Sequence, residues 1–471
     1  MKNIKYLLFL SILCSLVLFT NCGDSDDPVA EEEKFTLTVL VSPEEGGSVS
    51  YQSGPFKEGT KVTLTATAND NYEFKEWTGA FNGTTNPMEL IMNADNSVTA
   101  VFEKVPIYLD ENGITIKAED NAVIGMSYEL NGETYEVVDS SSLILMLENN
   151  EDVSKVVTSR ITNMAFLISN SSVDVTFNQD ISSWDVSNVT NMNGLFFVAR
   201  LFDQDISAWD VSKVTIMRSM FNGATKFNQN IGNWNVSNVY TMEAMFDNDS
   251  AFNQDISSWN VSNVVDMSRM FHRASSFNQD ISNWDVSKVG TTILEGDADG
   301  EGNNRWFDFI DMFNGARDFN QDISSWDVSN VKDMSRMFQS TYWFNQDIGR
   351  WNVSNVTNMT GMFSRTATFN QDLGSWDVGK VEDMSEMFLD AGYFDQDISG
   401  WNVSNVTNMK KMFYSLLAID DNGNVIIDEY SSIFNQNLSN WDVSNVIDCE
   451  DFSSGNVFWS QPKPNFTNCT E

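Results

Sequence analysis

Histidine is almost missing from this chain of 471 residues; the one present is His272. It stands where other stretches of the chain carry an ordinary loop residue, so imidazole-dependent nucleophile triads and His-rich metal sites find little support. Basic residues are scarce too, 27 Lys and Arg against 67 Asp and Glu. The formal net charge of −40 repels nucleic-acid phosphates and anionic lipid, so it argues against a nucleic-acid partner and for solubility or divalent cations. No Gly-rich phosphate loop of the Walker or dinucleotide type occurs. Cysteines number four, too few for a disulfide-dense scaffold. What the chain does have is apolar material, 41% of residues with 12% aromatic, enough to bury a large core.

Lys2 and Lys5 precede an apolar run from Tyr6 to Phe19, too short for a comfortable membrane span, which reads as an export signal. The run ends in Leu18-Phe19-Thr20-Asn21-Cys22, followed by Gly23-Asp24-Ser25-Asp26-Asp27. This resembles a bacterial lipoprotein signal over residues 1–21, with Cys22 as the lipid attachment site. The acidic residues after it resemble the surface-export signals of Bacteroidetes lipoproteins. Together they imply a cell-surface protein lipid-anchored to the bacterial outer membrane. Cys14 would be removed with the signal. Cys449 and Cys469 then remain as a disulfide candidate in an oxidising compartment, with two free thiols as the alternative.

Residues 22–34 read as an acidic tether. Over 35–104 the pattern becomes that of half-buried strands, as in Phe35-Thr36-Leu37-Thr38-Val39 and Lys61-Val62-Thr63-Leu64-Thr65-Ala66. Gly46-Gly47-Ser48-Val49, then Tyr72-x-Phe74-x-x-Trp77, then Val98-Thr99-Ala100-Val101-Phe102 resemble the divergent internalin-type B repeat. That resemblance implies a small all-β domain. Residues 105–163 form a lead-in and N-terminal cap, with Leu143 to Leu147 expected as a short helix.

From residue 164 to 448 one phrase recurs ten times. Its tryptophans are Trp184, Trp209, Trp234, Trp259, Trp284, Trp326, Trp351, Trp376, Trp401 and Trp441. The spacing is 25 residues apart from two insertions, near 290–306 and 416–430. A Phe precedes every Trp by seven residues, from Phe177 to Phe434, and a Gln follows each Phe by two. Apolar residues then fall three apart, as in Val186-x-x-Val189-x-x-Met192-x-x-Leu195-Phe196. That interval fits neither a strand's period of two nor a sustained helix's 3.6, but it fits a coil that keeps turning corners. One such coil buries too little to offset the entropy of ordering it, so stacking must supply the rest. Residues 449–471 are expected as a C-terminal cap. The phrase Phe-Asn-Gln-Asp-Ile-Ser-Ser-Trp-Asp-Val-Ser-Asn-Val at 177–189, completed by Thr-Asn-Met, resembles the BspA-like leucine-rich-repeat surface proteins. The resemblance implies an LRR-like repeat solenoid with short parallel strands and short helical turns, ten 25-residue coils in all. It also implies adhesion or contact with host or matrix.

Recurrent acids occupy one register, from Asp180 and Asp205 to Asp397. Stacked carboxylates could share calcium, but Asn230 and Asn437 hold the same place, keeping the acceptor and dropping the charge. A hydrogen-bond role follows, as for the Asp or Asn after each Trp. The Gln column reads as an amide ladder, and the Trp and Met columns as core. The insertion from Gly290 to Trp306 holds Glu295, Asp297, Asp299 and Glu301 among glycines. It lacks the full calcium-loop pattern; if metal binds at all, Asp297, Asp299 and Glu301 are the candidate ligands, and no other cofactor is expected. Ala418 to Tyr430, with Asn422-Gly423 between apolar flanks, reads as a protruding hairpin. The expected function is non-catalytic adhesion or ligand binding by a monomer, to a host or matrix protein or glycan, through one face and its loops. A surface polysaccharide-processing enzyme is the alternative, and a structural spacer the third.

Overall fold

The computed structural model describes residues 33–169, 174–291, 308–416, 418–419 and 425–470. The chain divides into two compact units between Lys104 and Val105.

The first unit contains six main strands: β1 (Leu37–Ser42), β2 (Gly47–Ser50), β3 (Thr60–Ala68), β4 (Tyr72–Gly79), β5 (Met88–Met92) and β6 (Asn96–Lys104). They form two three-stranded sheets, ordered β1-β6-β4 and β2-β3-β5. The alternation of apolar and polar residues sets the faces here, since Val62, Leu64 and Ala66 point inward while Lys61 and Thr63 point out. Trp77 is fully buried and donates Nε1–H to the Thr85 carbonyl at 3.0 Å. At Gly47 an added Cβ would lie 2.5 Å from the Thr67 carbonyl and against the Phe102 ring. Backbone and ring approach closely there, and the glycine is what permits it.

The second unit opens with a short antiparallel pair, Ile107–Leu109 with Ile116–Ala118, followed by β7 (Ser127–Leu130), β8 (Glu133–Val137), helix α1 (Ser140–Glu148) and β9 (Val156–Val157). The helix covers the expected Leu143 to Leu147 and starts in a capping box, with Asp139 accepting from the Ser142 amide at 2.8 Å. Leu143 and Leu147 are buried in the same core as the repeats that follow.

In those repeats the apolar triplets are a chain of turns. Trp184 donates its amide to Ile181, Val189 to Val186, Leu195 to Met192, Ala199 to Phe196 and Phe202 to Ala199, each at 2.9–3.2 Å. Each of these five donors thus closes a corner on the residue three before it, and all of them are buried. Alternate amides between the corners leave the coil. Met192, Gly194, Phe196 and Val198 donate to Ile216, Arg218, Met220 and Asn222 of the next coil. The expected strands and helical turns are therefore reduced: from Phe177 to Leu416 the described residues hold no strand and no helix. Strand-like pairing between coils is confined to single parallel bridge residues, as in the run Asn163, Asn191, Ile216, Thr241 and Asp266. The physical reason is the left-handed backbone at two places per coil. One runs through Gly194, Ser219, Ala244 and Arg269, the other through Val198, Gly223, Asn248 and Arg273, with φ between 52° and 76°. A left-handed residue other than Gly costs about 1–2 kcal/mol. Here each reversal aims its own N–H at the next coil, and the bond it gains offsets the cost.

The aromatic columns stack accordingly. Trp184, Trp209 and Trp234 lie 6.4 and 6.5 Å apart with nearly parallel planes. Phe196 sits 3.9 Å from Phe202 and 5.4 Å from Phe221. The row ends where Trp459 turns edge-on to Phe434 at 4.9 Å. Beyond it Cys449 and Cys469 are joined in a disulfide. In the second insertion Ala418–Ile419 pairs antiparallel with Val425–Ile426, the hairpin expected there.

Candidate binding site

The recurrent polar residues are consumed by the scaffold. Asp205 accepts the Ser207 amide two residues on at 2.9 Å, and Asn230 accepts the Gly232 amide in the same way. These are turns within one coil, not a ladder between coils. The Ser207 hydroxyl and amide hold the Asp205 carboxyl below its usual range, and Ser257 and Ser282 do the same for Asp255 and Asp280. The residues after each Trp form the same turn, as Asp285 and Asn235 do with Ser287 and Ser237. The Gln column does form an amide ladder, and its acceptor in the coil before is the residue that follows each Phe. Asn178 accepts from the Asp203 amide and from Gln204 Nε2, and Asp203 accepts from the Asn228 amide and from Gln229 Nε2. This Asn/Asp column went unread in the sequence, although an acceptor at that place in every coil was its signal. Each Trp also donates Nε1–H to the coil before, Trp209 to Ile181 at 3.1 Å.

What varies from coil to coil is the stretch between the Met and the next Phe. It includes both left-handed positions, so its side chains lie along one strip. Charged residues there pair across coils: Arg218 with Glu243 at 3.0 Å, Arg336 with Asp311 at 2.9 Å, Arg365 with Asp390 at 3.3 Å. His272 belongs to this strip and is no ordinary loop residue. It is buried, with Nδ1 2.8 Å from Asp247, whose other oxygen takes Arg269 at 2.8 Å. Two other buried acids are perturbed. Burial, reinforced by the Glu243 carboxylate, pushes Asp266 up to about 7, and burial pushes Asp308 to about 6.

A hollow of 660 Å³ opens on the strip at the foot of the second insertion. Arg317, Tyr342, Arg365, Asp390, Asp428 and Tyr430 are among its lining. The Arg317 guanidinium sits over the Tyr342 ring at 5.6 Å, and Tyr342 meets Tyr430 edge-on at 6.1 Å. Asp390 is occupied on both sides, by the Leu416 amide at 2.6 Å and by Arg365 Nε. Asp428 caps its own turn through the Tyr430 amide at 3.0 Å. The guanidinium of Arg317 reaches no carboxylate among the described residues.

The family model described as "Mycoplasma protein of unknown function, DUF285" matches residues 139–240, 202–294, 307–426 and 427–466, more than half of the chain. The chain belongs to this family. Repeats of the DUF285 family are of a surface-protein type. Ahead of the DUF285 repeats, residues 37–106 match the divergent InlB B-repeat domain. No curated protein and no solved structure matches the chain.

Of the residues singled out in this DUF285 protein, Cys22 lies outside the described residues, as do Asp297, Asp299 and Glu301. Cys449 and Cys469 are bonded to each other at the C-terminal end. Among the described residues no group of three or more His, Cys, Asp or Glu side chains could hold a metal ion.

Proposed function

We propose that this chain is a surface-exposed bacterial lipoprotein, anchored through Cys22 to the outer membrane, that acts by adhesion or ligand binding without catalysis. In this reading the stacked coils are an LRR-like solenoid of the BspA-like branch, and the monomer engages a host or matrix protein or glycan. The observation that carries it is the division of labour within each coil. Residues that repeat are spent on the coil itself or on its neighbour, whereas variation is gathered into one strip with a hollow on it. A rigid scaffold that holds varied side chains in fixed places is how repeat proteins build recognition surfaces.

Two measurements test this. Protease applied to intact cells should cleave the chain; protection until lysis would overturn the surface location. The mature chain, with and without calcium, should capture a partner from matrix proteins and a glycan array, with no new reducing ends or unsaturated products. Product release would favour a polysaccharide-processing enzyme, and capture of nothing in either condition would favour a spacer.

A further inference from the structure

We infer that the hollow at the foot of the second insertion binds a carboxylate-bearing sugar, a uronic or sialic acid residue of a glycan. The inference deepens the binding role proposed above and rests on it.

The hollow's location is exceptional for this protein. In a chain of net charge −40, two guanidinium groups face one small space. Other coils fill these places with Thr225, Ser250, Ser275 or Arg200 for Arg317, and with Gly223, Gly315, Ser340 or Arg273 for Arg365; only here do Arg from both places line one hollow among the described residues. Nothing in the stacking requires a cation at either position. Arg317 is attached only by its face to Tyr342, which leaves its in-plane N–H donors for a ligand. Arg365 spends Nε on Asp390, and its two terminal nitrogens make no bond among the described residues. A guanidinium is suited to a planar carboxylate because its parallel donors match the two oxygens. The acids of the hollow leave Arg317 unpaired, since Asp390 is taken by Arg365 and the Leu416 amide and Asp428 caps its own turn. More distant carboxylates are screened beyond about 8 Å at physiological ionic strength.

Charge alone would not distinguish a sugar acid from an acidic peptide. The two tyrosines do so by shape. Tyr342 and Tyr430 are set edge-on, which makes an amphipathic corner against which the C–H face of a pyranose ring can lie. The oxygens of Asp390 and Asp428 stand at the same wall, and their remaining lone pairs can accept from sugar hydroxyls. A doubly charged phosphate or a run of glutamates would meet those carboxylates as like charges. A singly charged ring rich in hydroxyls would use them. The volume of 660 Å³ falls within the range of small-ligand sites and holds one to two sugar residues.

The test uses the whole mature chain on an array of oligosaccharides carrying glucuronate, galacturonate or sialate. Each is paired with its carboxyl-reduced counterpart, and a poly-glutamate peptide is included. Binding to at least one acidic sugar is expected, weaker by about tenfold or more for the reduced form. Arg317→Gln should lose a similar factor. Its only contact is with an exposed-side ring, so its unfolding midpoint should equal the parent's, and Tyr342→Ala should weaken binding independently. Equal binding of acid and reduced forms, an unchanged Arg317→Gln, or preference for poly-glutamate would each overturn the inference. If uncharged glycans or matrix proteins bind and the Arg317→Gln chain binds them equally well, the pocket assignment falls and the general binding role stands. If nothing binds at all, both fall.

Discussion

Asp249 occupies a place that is apolar or neutral in the other coils, filled by Ala199, Ala224, Ala274 and Ala316, or by Thr341 and Thr366. It is wholly buried, and neither of its oxygens has a hydrogen-bond partner. Burial drives its carboxyl well above the ordinary value, and the nearby amides of Ala251 and Phe252 offset only part of that. Thr341 shows how the position is satisfied, since its Oγ1–H donates to the Phe313 carbonyl of the preceding coil at 2.6 Å. The change Asp249→Thr brings such a donor under the corresponding carbonyl, that of Phe221. Relief of a buried unsatisfied polar group is worth about 1–3 kcal/mol, so the variant should be more stable by that order at pH 7.5. The pH dependence follows from the sign of the shift. A carboxyl whose folded pKa is raised contributes fully below its unfolded value, about 4, and that contribution is lost as pH rises through the folded value. The advantage of the variant should therefore be largest near neutrality and shrink toward pH 4. Urea titration followed by tryptophan fluorescence at pH 4.5 and 7.5 measures this as a shift in midpoint at constant slope. A variant less stable than the parent at pH 7.5, or one whose gain is the same at both pH values, would refute the reasoning.

Asp266, raised to about 7 by burial and then by Glu243, should make parental stability fall as pH rises through 7. Asp266→Asn, the residue type found in register at Asn358 and Asn408, should flatten that fall in the same titrations. Trp259→Ala removes a central ring and leaves the Ile231 carbonyl without its donor. The expected cost is about 3–5 kcal/mol, and because coils contact mainly their neighbours, calorimetry should show the transition broaden or split. Cys469→Ser opens a loop with a sequence separation of 20 and should cost about 3 kcal/mol. Hydrogen exchange should rise over 449–470 and not around Trp259.

The core was legible because a residue that returns every 25 places returns to the same surroundings. Phe177, Trp184, Val186 and Met192 could be placed inside from spacing alone, and all are buried. Replacement of Asp by Asn230 and Asn437 likewise revealed an acceptor role. Which amide each would accept from was hidden, since an intra-coil turn and an inter-coil ladder ask for the same side chains. The left-handed positions were hidden for a different reason. Their usual marker is glycine, but here Arg269, Glu386 and Lys411 adopt them, held by bonds to the next coil that no local pattern announces. The cluster of His272, Asp247 and Arg269 was missed because one coil's exception gains meaning only beside its neighbour's, 25 residues away.

The same logic decides where this fold can carry recognition. A side chain that must bond to its copy in the next coil cannot vary, because any change in one coil leaves a partner unsatisfied in another, at about 1–3 kcal/mol each. Gln229 cannot be altered without losing one of the two donors on Asp203, nor Trp209 without stranding the Ile181 carbonyl. The strip after each Met carries less of that constraint, since its recurring inter-coil bonds are made by the backbone and its side-chain pairs, such as Arg336 with Asp311, are particular to two coils. It is therefore where sequence can change at least cost to the stack. Arg317, Tyr342 and Arg365, from three successive coils, are what this chain has put there.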